Sequence, residues 1–293
     1  MRPAQITVFA LLLTLISLHS ALAHSSPPWH EKRELASDLE VSGALSGLPS
    51  DSTRYITRDE LLAIPQVTFT ITDDTNFSGP TKIRGVRLED LMQRLATSPS
   101  ADMVVAICDD GYRANYPQAY LAAHHPVLVL EVNGKPPSGW PKDSSEHTYD
   151  MGPYMISNPK FTPSFHVLSH TDEAQIPWGV VRIEFRDEKT VFGAIAPHGP
   201  RAREQVVEDG FRIAQQNCYR CHNAGKEGGQ KSGIPWTALG AFASSSPAEF
   251  AAYIHDPRAK NPQAQMPGNP QYYGATLVAL TAYFQTFASP KKP

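Results

Sequence analysis

The chain has 293 residues, 41% of them hydrophobic, with 26 Lys+Arg against 29 Asp+Glu and a formal net charge of −3. That length allows two domains, each large enough for a core, and the near-balance of charge excludes the basic footprint of a nucleic-acid binder. Residues 24–199 hold 15 Lys+Arg against 23 Asp+Glu, a net of −8, whereas residues 200–293 hold 10 against 6, a net of +4. An acidic body joined to a mildly basic tail predicts electrostatic docking, within the molecule or to a partner.

Residues 1–23 have the pattern of an export signal: Arg2, a mostly apolar run over 6–18, and the small-residue cleavage sequence Ala21-Leu22-Ala23. The run is short for a bilayer span, and no later stretch reaches about 18 apolar residues. A soluble periplasmic protein is expected, an uncleaved anchor being the alternative. Cleavage would leave His24 as the N-terminus, heading a Ser/Pro leader.

Residues 34–195 read as a mixed α+β domain with a mostly β core. Strands are predicted over 39–43, 67–72, 103–107, 127–132 and 180–185 from β-branched and apolar runs. Thr57 with Glu60 forms a capping-box pattern that opens a helix over 56–62. Leu88, Leu91, Met92 and Leu95 recur at helical spacing over 88–95, and Asn133-Gly134 is a turn signal. Residues 137–177, with His147, Tyr149, His166 and His170, are too long for a structureless connection and mark a lid, a functional loop or an unrecognised element. Cys108 is the odd cysteine of this region: a buried strand-end residue, or a thiolate able to hold a soft metal. Tyr112 and Arg113 either line a cleft and bind an anion or cap a loop. His124 and His125 are adjacent, so they point apart and do not share a metal.

Residues 196–201, rich in Pro and Gly, form a predicted linker. Helical spacing over 202–216 leads into Cys218-Tyr219-Arg220-Cys221-His222. Two cysteines two residues apart, followed at once by histidine, form the attachment signature of a c-type haem: the thiols add to the two vinyl groups and the imidazole lies under the iron. Ser246, Pro247 and Glu249 open a predicted helix ending near His255. Leu277, Leu280, Tyr283, Phe284 and Phe287 form one apolar stripe over 276–287. Met266, in Gln265-Met266-Pro267-Gly268, is the one methionine after the motif and the predicted second axial ligand, His255 being its rival.

Two resemblances follow. Residues 202–288 resemble small class I cytochromes c, which implies an all-α domain whose first and last helices cross, with Gly210 and Phe211 against Tyr283 or Phe284. It also implies that Met266 is the distal ligand, that the Pro235 carbonyl accepts from the proximal imidazole, and that Trp236 and Leu239 pack the haem edge. The order ITRDELLAIP (56–65), IRGVRLEDLMQRL (83–95), DDGYRANYP (109–117), VLEVNGKPP (129–137) resembles the molybdopterin-binding domain of the sulfite oxidase family. Where that family carries its metal-ligand cysteine this chain has Asp73-Asp74-Thr75-Asn76. Together the resemblances imply a two-domain chain, α+β then all-α, with one covalent haem c. Its function would be exported electron transfer to a redox protein partner, the first domain serving as a docking or ligand module. A molybdopterin-dependent oxidoreductase of sulfite dehydrogenase type, drawing on Cys108, Tyr112 and Arg113, is the alternative. A haem-based sensor would need a labile Met266–iron bond.

Overall fold

Alternating β-branched and aromatic residues set the strands, and short amphipathic runs set the helices between them. In order these are β1 (Leu39–Gly43), β2 (Thr53–Ile56), α1 (Arg58–Ala63), β3 (Val67–Ile71), β4 (Thr81–Arg87), α2 (Leu88–Arg94), β5 (Met103–Cys108), β6 (Arg113–Pro117), α3 (Gln118–His124), β7 (Val127–Val132), β8 (Tyr154–Ser157), β9 (Trp178–Arg186) and α4 (Glu188–Gly193). There follow α5 (Gln205–Gln216), β10 (Asn223–Ala224), β11 (Glu227–Gly228), α6 (Trp236–Ser245), α7 (Pro247–His255), α8 (Pro257–Lys260) and α9 (Gly274–Gln285). The computed structural model describes residues 28–72, 74, 76–95, 98–141, 150–160, 170 and 172–288. The export signal over 1–23, His24, Asp73, Thr75, His147, Tyr149 and His166 lie outside the described residues.

Local chemistry behaves as the sequence predicts at several points. Thr57 and Glu60 make the reciprocal capping box of α1, and Asn133 and Gly134 both take positive φ in the turn after β7. The long 137–177 segment holds an element that propensity did not reveal, β8, whose four residues are all buried. Ser246 occupies the N-cap position of α7 but makes no side-chain cap bond, leaving Pro247 at the first helical position.

Nine strands form one mixed sheet in the order β2-β1-β9-β8-β7-β4-β3, with β5 pairing β9 and β6 pairing β5. The β1–β9 pair is parallel and the others are antiparallel. β9 is the branch point, bonded to β1, β8 and β5.

The expectation of an α+β domain followed by a separate all-α cytochrome c domain is corrected. The chain is α+β around a nine-stranded sheet, and the 202–288 segment is not all-α, since β10 and β11 pair within it. Nor does that segment keep a core to itself. Val104 and Ala106 of β5 belong to one hydrophobic core with Leu39, Val41, Ile183 and Phe185. Met103 and Val105, on the other face, join α4 residues Val191 and Phe192 and the helical residues Val207, Ile213, Trp236, Leu280 and Phe284 in a second. A strand whose side chains alternate between two buried faces reads as a continuous apolar run, and Met-Val-Val-Ala-Ile is such a run. The helices are therefore a layer on the sheet.

Within that layer α5 and α9 cross closely. A Cβ at Gly210 would strike the Ala279 carbonyl and the Tyr283 Cβ, so only glycine permits the approach. Phe211 and Tyr283 stack tilted with ring centroids 5.7 Å apart.

Because Val105 is fully buried in the core shared by the two layers, Val105→Ala should destabilise the protein by about 2 kcal/mol. Urea unfolding followed by far-UV circular dichroism and by tryptophan emission should give one coincident, lowered midpoint. Two separated transitions would refute the shared core.

Candidate functional site

The last turn of α5 runs straight into the attachment motif. The amides of Cys218 and Tyr219 both donate to the Ala214 carbonyl at 3.0 Å, and the amides of Cys221 and His222 donate to the Cys218 carbonyl at 3.3 and 3.1 Å. Both thiols and the imidazole therefore spring from one turn, and neither thiol is paired in a disulfide. Tyr219, between the cysteines, is fully buried and its hydroxyl donates to the Val191 carbonyl at 3.1 Å. The β10–β11 hairpin then folds back over the motif. Gly228 has φ +87°, and a side chain there would strike the His222 carbonyl and the Tyr219 ring.

The imidazole of His222 is held from the far side. Its Nδ1 lies 2.8 Å from the Ile234 carbonyl oxygen. A carbonyl only accepts, so Nδ1 carries the proton and Nε2 keeps its lone pair for a metal. The expected acceptor, the Pro235 carbonyl, is corrected by one residue. Pro235 is the N-cap of α6, and its carbonyl accepts from the amides of Ala238 and Leu239 inside that helix.

Met266 is half-buried and packs against the second core, as do Cys218 and Leu239. Its loop is pinned to the end of α7, where the Asn269 amide donates to the His255 carbonyl at 3.0 Å and the Asn269 side chain to the Ile254 carbonyl at 3.0 Å. Trp236 is a core residue: 1% exposed, its Nε1 donates to the Tyr283 hydroxyl at 3.2 Å and its ring lies among Tyr219, Phe284 and Phe287.

The sheet supplies the rest of the site, and this assembly was not legible in the sequence. The β5–β6 turn, which carries Cys108, Asp110 and Tyr112, lies against the motif and the 229–232 loop. The Arg113 amide donates to the Arg220 carbonyl at 2.9 Å, the Gln230 amide to the Gly111 carbonyl at 2.8 Å, and Lys231 pairs with Asp110. Lys231 Nζ stands 5.9 Å from the Tyr112 ring centroid. Arg113, only 5% exposed, neither faces solvent nor remains available to an anion. It pairs with Glu184 at 3.4 Å and with Glu227 of the hairpin at 3.1 Å, while Arg186 bonds both of those carboxylates. The pairing register explains the cluster: Val105 lies opposite Glu184 and Met103 opposite Arg186 across β5–β9, and Ile107 opposite Arg113 across β5–β6. Register partners share a face, so these charges rim the apolar strip that the helical layer covers.

Electrostatics at the motif follow from that cover. Burial, then the neighbouring Cys221, push the Cys218 thiol up to about 12, with Arg220 opposing. Burial likewise raises Cys221, against Lys231 and Arg220. Burial lowers the His222 imidazole and its bond to Ile234 partly offsets this, so the neutral, ligating form is favoured. The two cysteines, the neutral imidazole with Nε2 free and the half-buried thioether suit a covalently held haem.

Cys108 is 4% exposed at the end of β5. Burial raises its thiol well above the usual range, and Asp110 and Asp109 raise it further, while the one cation opposing them, Lys231, is already engaged by Asp110. Without a metal the thiol is therefore protonated, as befits a buried residue that packs into the first core at the end of its strand. His124 and His125 bond separate carboxylates, Asp172 and Glu89. Among the described residues no three His, Cys, Asp or Glu side chains gather as a metal site, and no helix is long and apolar enough to cross a membrane.

Two measurements check this geometry. Arg113→Ala leaves the half-buried Glu184 and Glu227 with fewer cationic partners, Arg186 among those kept, and should cost about 1–3 kcal/mol in urea unfolding. In the haem-free chain at pH 8, iodoacetamide should label Cys108 and Cys218 slowly, as read by mass spectrometry, and rapidly only in denaturant.

No family model matches the chain, and no curated protein does. Among solved structures, the sulfane dehydrogenase SoxCD from Paracoccus pantotrophus is similar at 15% identity, with a TM-score of 0.34, over 58% of this chain and 45% of that one. The chain thus matches less than half of that protein.

Proposed function

We propose that this chain is an exported electron-transfer protein. Cys218 and Cys221 would hold one haem c through thioether bonds, His222 and Met266 would ligate its iron, and the sheet layer grips the loop that carries the motif. The observation that carries this reading is the 2.8 Å bond from His222 Nδ1 to the Ile234 carbonyl, set in one turn with two unpaired thiols. That bond orients the ring and fixes the tautomer that can ligate iron.

When bound, the haem would supply reversible one-electron chemistry, with His222 and Met266 as the residues that would hold its iron. The chain's own residues do the remainder. Cys218 and Cys221 anchor the group, and Tyr219, tied to Val191, keeps their turn from swinging out. Ile234 orients the proximal imidazole, and the Asn269 bonds hold the Met266 loop against the helical layer. Aromatic residues of the second core keep water from that side.

Export and co-expression with haem-attachment machinery should yield a chain whose mass, after denaturation, includes one haem. Cys218→Ala with Cys221→Ala should yield none. Metal analysis should find about one iron and no molybdenum per chain; molybdenum at parity with iron would favour the oxidoreductase reading instead. Met266→Ala should abolish the weak long-wavelength absorbance of sulfur–iron ligation while covalent attachment persists. Survival of that band would reassign the second ligand, with His255 the next residue to replace.

A further inference from the structure

Arg220 occupies one of the two positions inside the attachment motif where covalent chemistry places no demand, yet it is among the most thoroughly engaged side chains at the site. The residue is half-buried at the seam between the layers. There Nε donates to the Gln216 carbonyl and Nη2 to the Ala174 carbonyl at 3.4 Å. Its own carbonyl accepts from the Arg113 amide of β6, and the absence of a side chain at Gly229 lets the hairpin close over that carbonyl. The 173–175 segment facing it is pinned to α5, because Gln175, 1% exposed, donates from Nε2 to the Gln216 side chain at 2.8 Å. Burial disfavours the charge of the guanidinium, and the surrounding Tyr112, Glu173, Tyr272 and Tyr120 oppose that; Glu173, 7% exposed, also stands 3.6 Å from His170 Nδ1. Arg220 thus brings a cation into the sheet layer from within the turn that carries both attachment sulfurs.

We propose that Arg220 is a tuning residue: a half-buried positive charge, held by hydrogen bonds beside the attached haem, that raises its reduction potential, with Glu173 as the opposing charge. The inference rests on the haem reading of Cys218 and Cys221. The physics is direct. Reduction adds one electron and no proton to the iron, lowering its charge by one, and a nearby fixed cation favours the state with the lower charge. Because the cation is half-buried, salt screens it only in part. Glu173 acts with the opposite sign, so the two side chains set the potential by their difference.

The test is redox titration, against an electrode with mediators, of parent, Arg220→Gln, Arg220→Lys and Glu173→Gln, each first checked for covalent haem by mass. At a fixed applied potential Arg220→Gln should shift the reduced-to-oxidised ratio about tenfold toward oxidised, about 59 mV for one electron. Glu173→Gln should shift it the other way, and Arg220→Lys should stay near the parent. The shifts should persist from low to high salt. Unmoved potentials in haem-loaded Arg220→Gln and Glu173→Gln would overturn the proposal, as would shifts of the same sign in both, since loosened packing has no reason to distinguish the charges. If Arg220→Gln does not accumulate, the Glu173→Gln shift decides: upward supports, absent overturns. A parent chain without covalent haem would sink the haem reading and this inference with it, whereas a loaded parent with unmoved variants sinks this inference alone.

Discussion

Strand β5 has no solvent face, and the architecture rests on that constraint. Val104 and Ala106 belong to the core on one side of the sheet, Met103 and Val105 to the core on the other. The exposed faces of most antiparallel strands are polar; here the second face needs a cover, and α4 with the helices of residues 205–285 supplies it. The attachment motif lies at the edge of that cover, where Tyr219 reaches Val191 and the hairpin reaches Arg113 and Arg186. The turn that would hold a cofactor is therefore clamped from two directions by residues distant in sequence.

The rim charges have a structural consequence. Arg113, Glu184, Arg186 and Glu227 sit at the boundary of the apolar strip, where desolvation makes an unpaired charge costly and a mutually satisfied set tolerable. They fix the orientation of the hairpin on the sheet more than they add net stability. Lys231 with Asp110 repeats the arrangement nearer solvent, where an ion pair contributes little energy and mainly sets geometry. Of these pairs Lys231–Asp110 joins a cation of the basic 200–293 segment to a carboxylate of the acidic 24–199 segment, whereas the Glu227 pairs run the other way.

Seen this way, the inner residues of the Cys-x-x-Cys-His turn are where the two layers lock. Tyr219 fills the shared core and Arg220 enters the sheet side, so neither is free to vary as a spacer would be.

What the sequence by itself determined is what depends on neighbours in the chain. The Thr57–Glu60 box, the Asn133-Gly134 turn, most strand runs, the 3.6-residue stripes of α5 and α9, and the attachment turn all follow from interactions spanning a few residues. The close approach at Gly210 was anticipated only through the resemblance to small class I cytochromes c, not from neighbours in the chain. The tertiary structure alone decided what depends on long-range register. That Arg113, Glu184 and Glu227 converge, that the Ile234 carbonyl rather than the Pro235 carbonyl meets His222, and that β5 serves two cores are outcomes of which strand lies beside which and where a helix begins. A one-residue shift in either would have turned those side chains and carbonyls to the opposite face, and no local pattern records that choice.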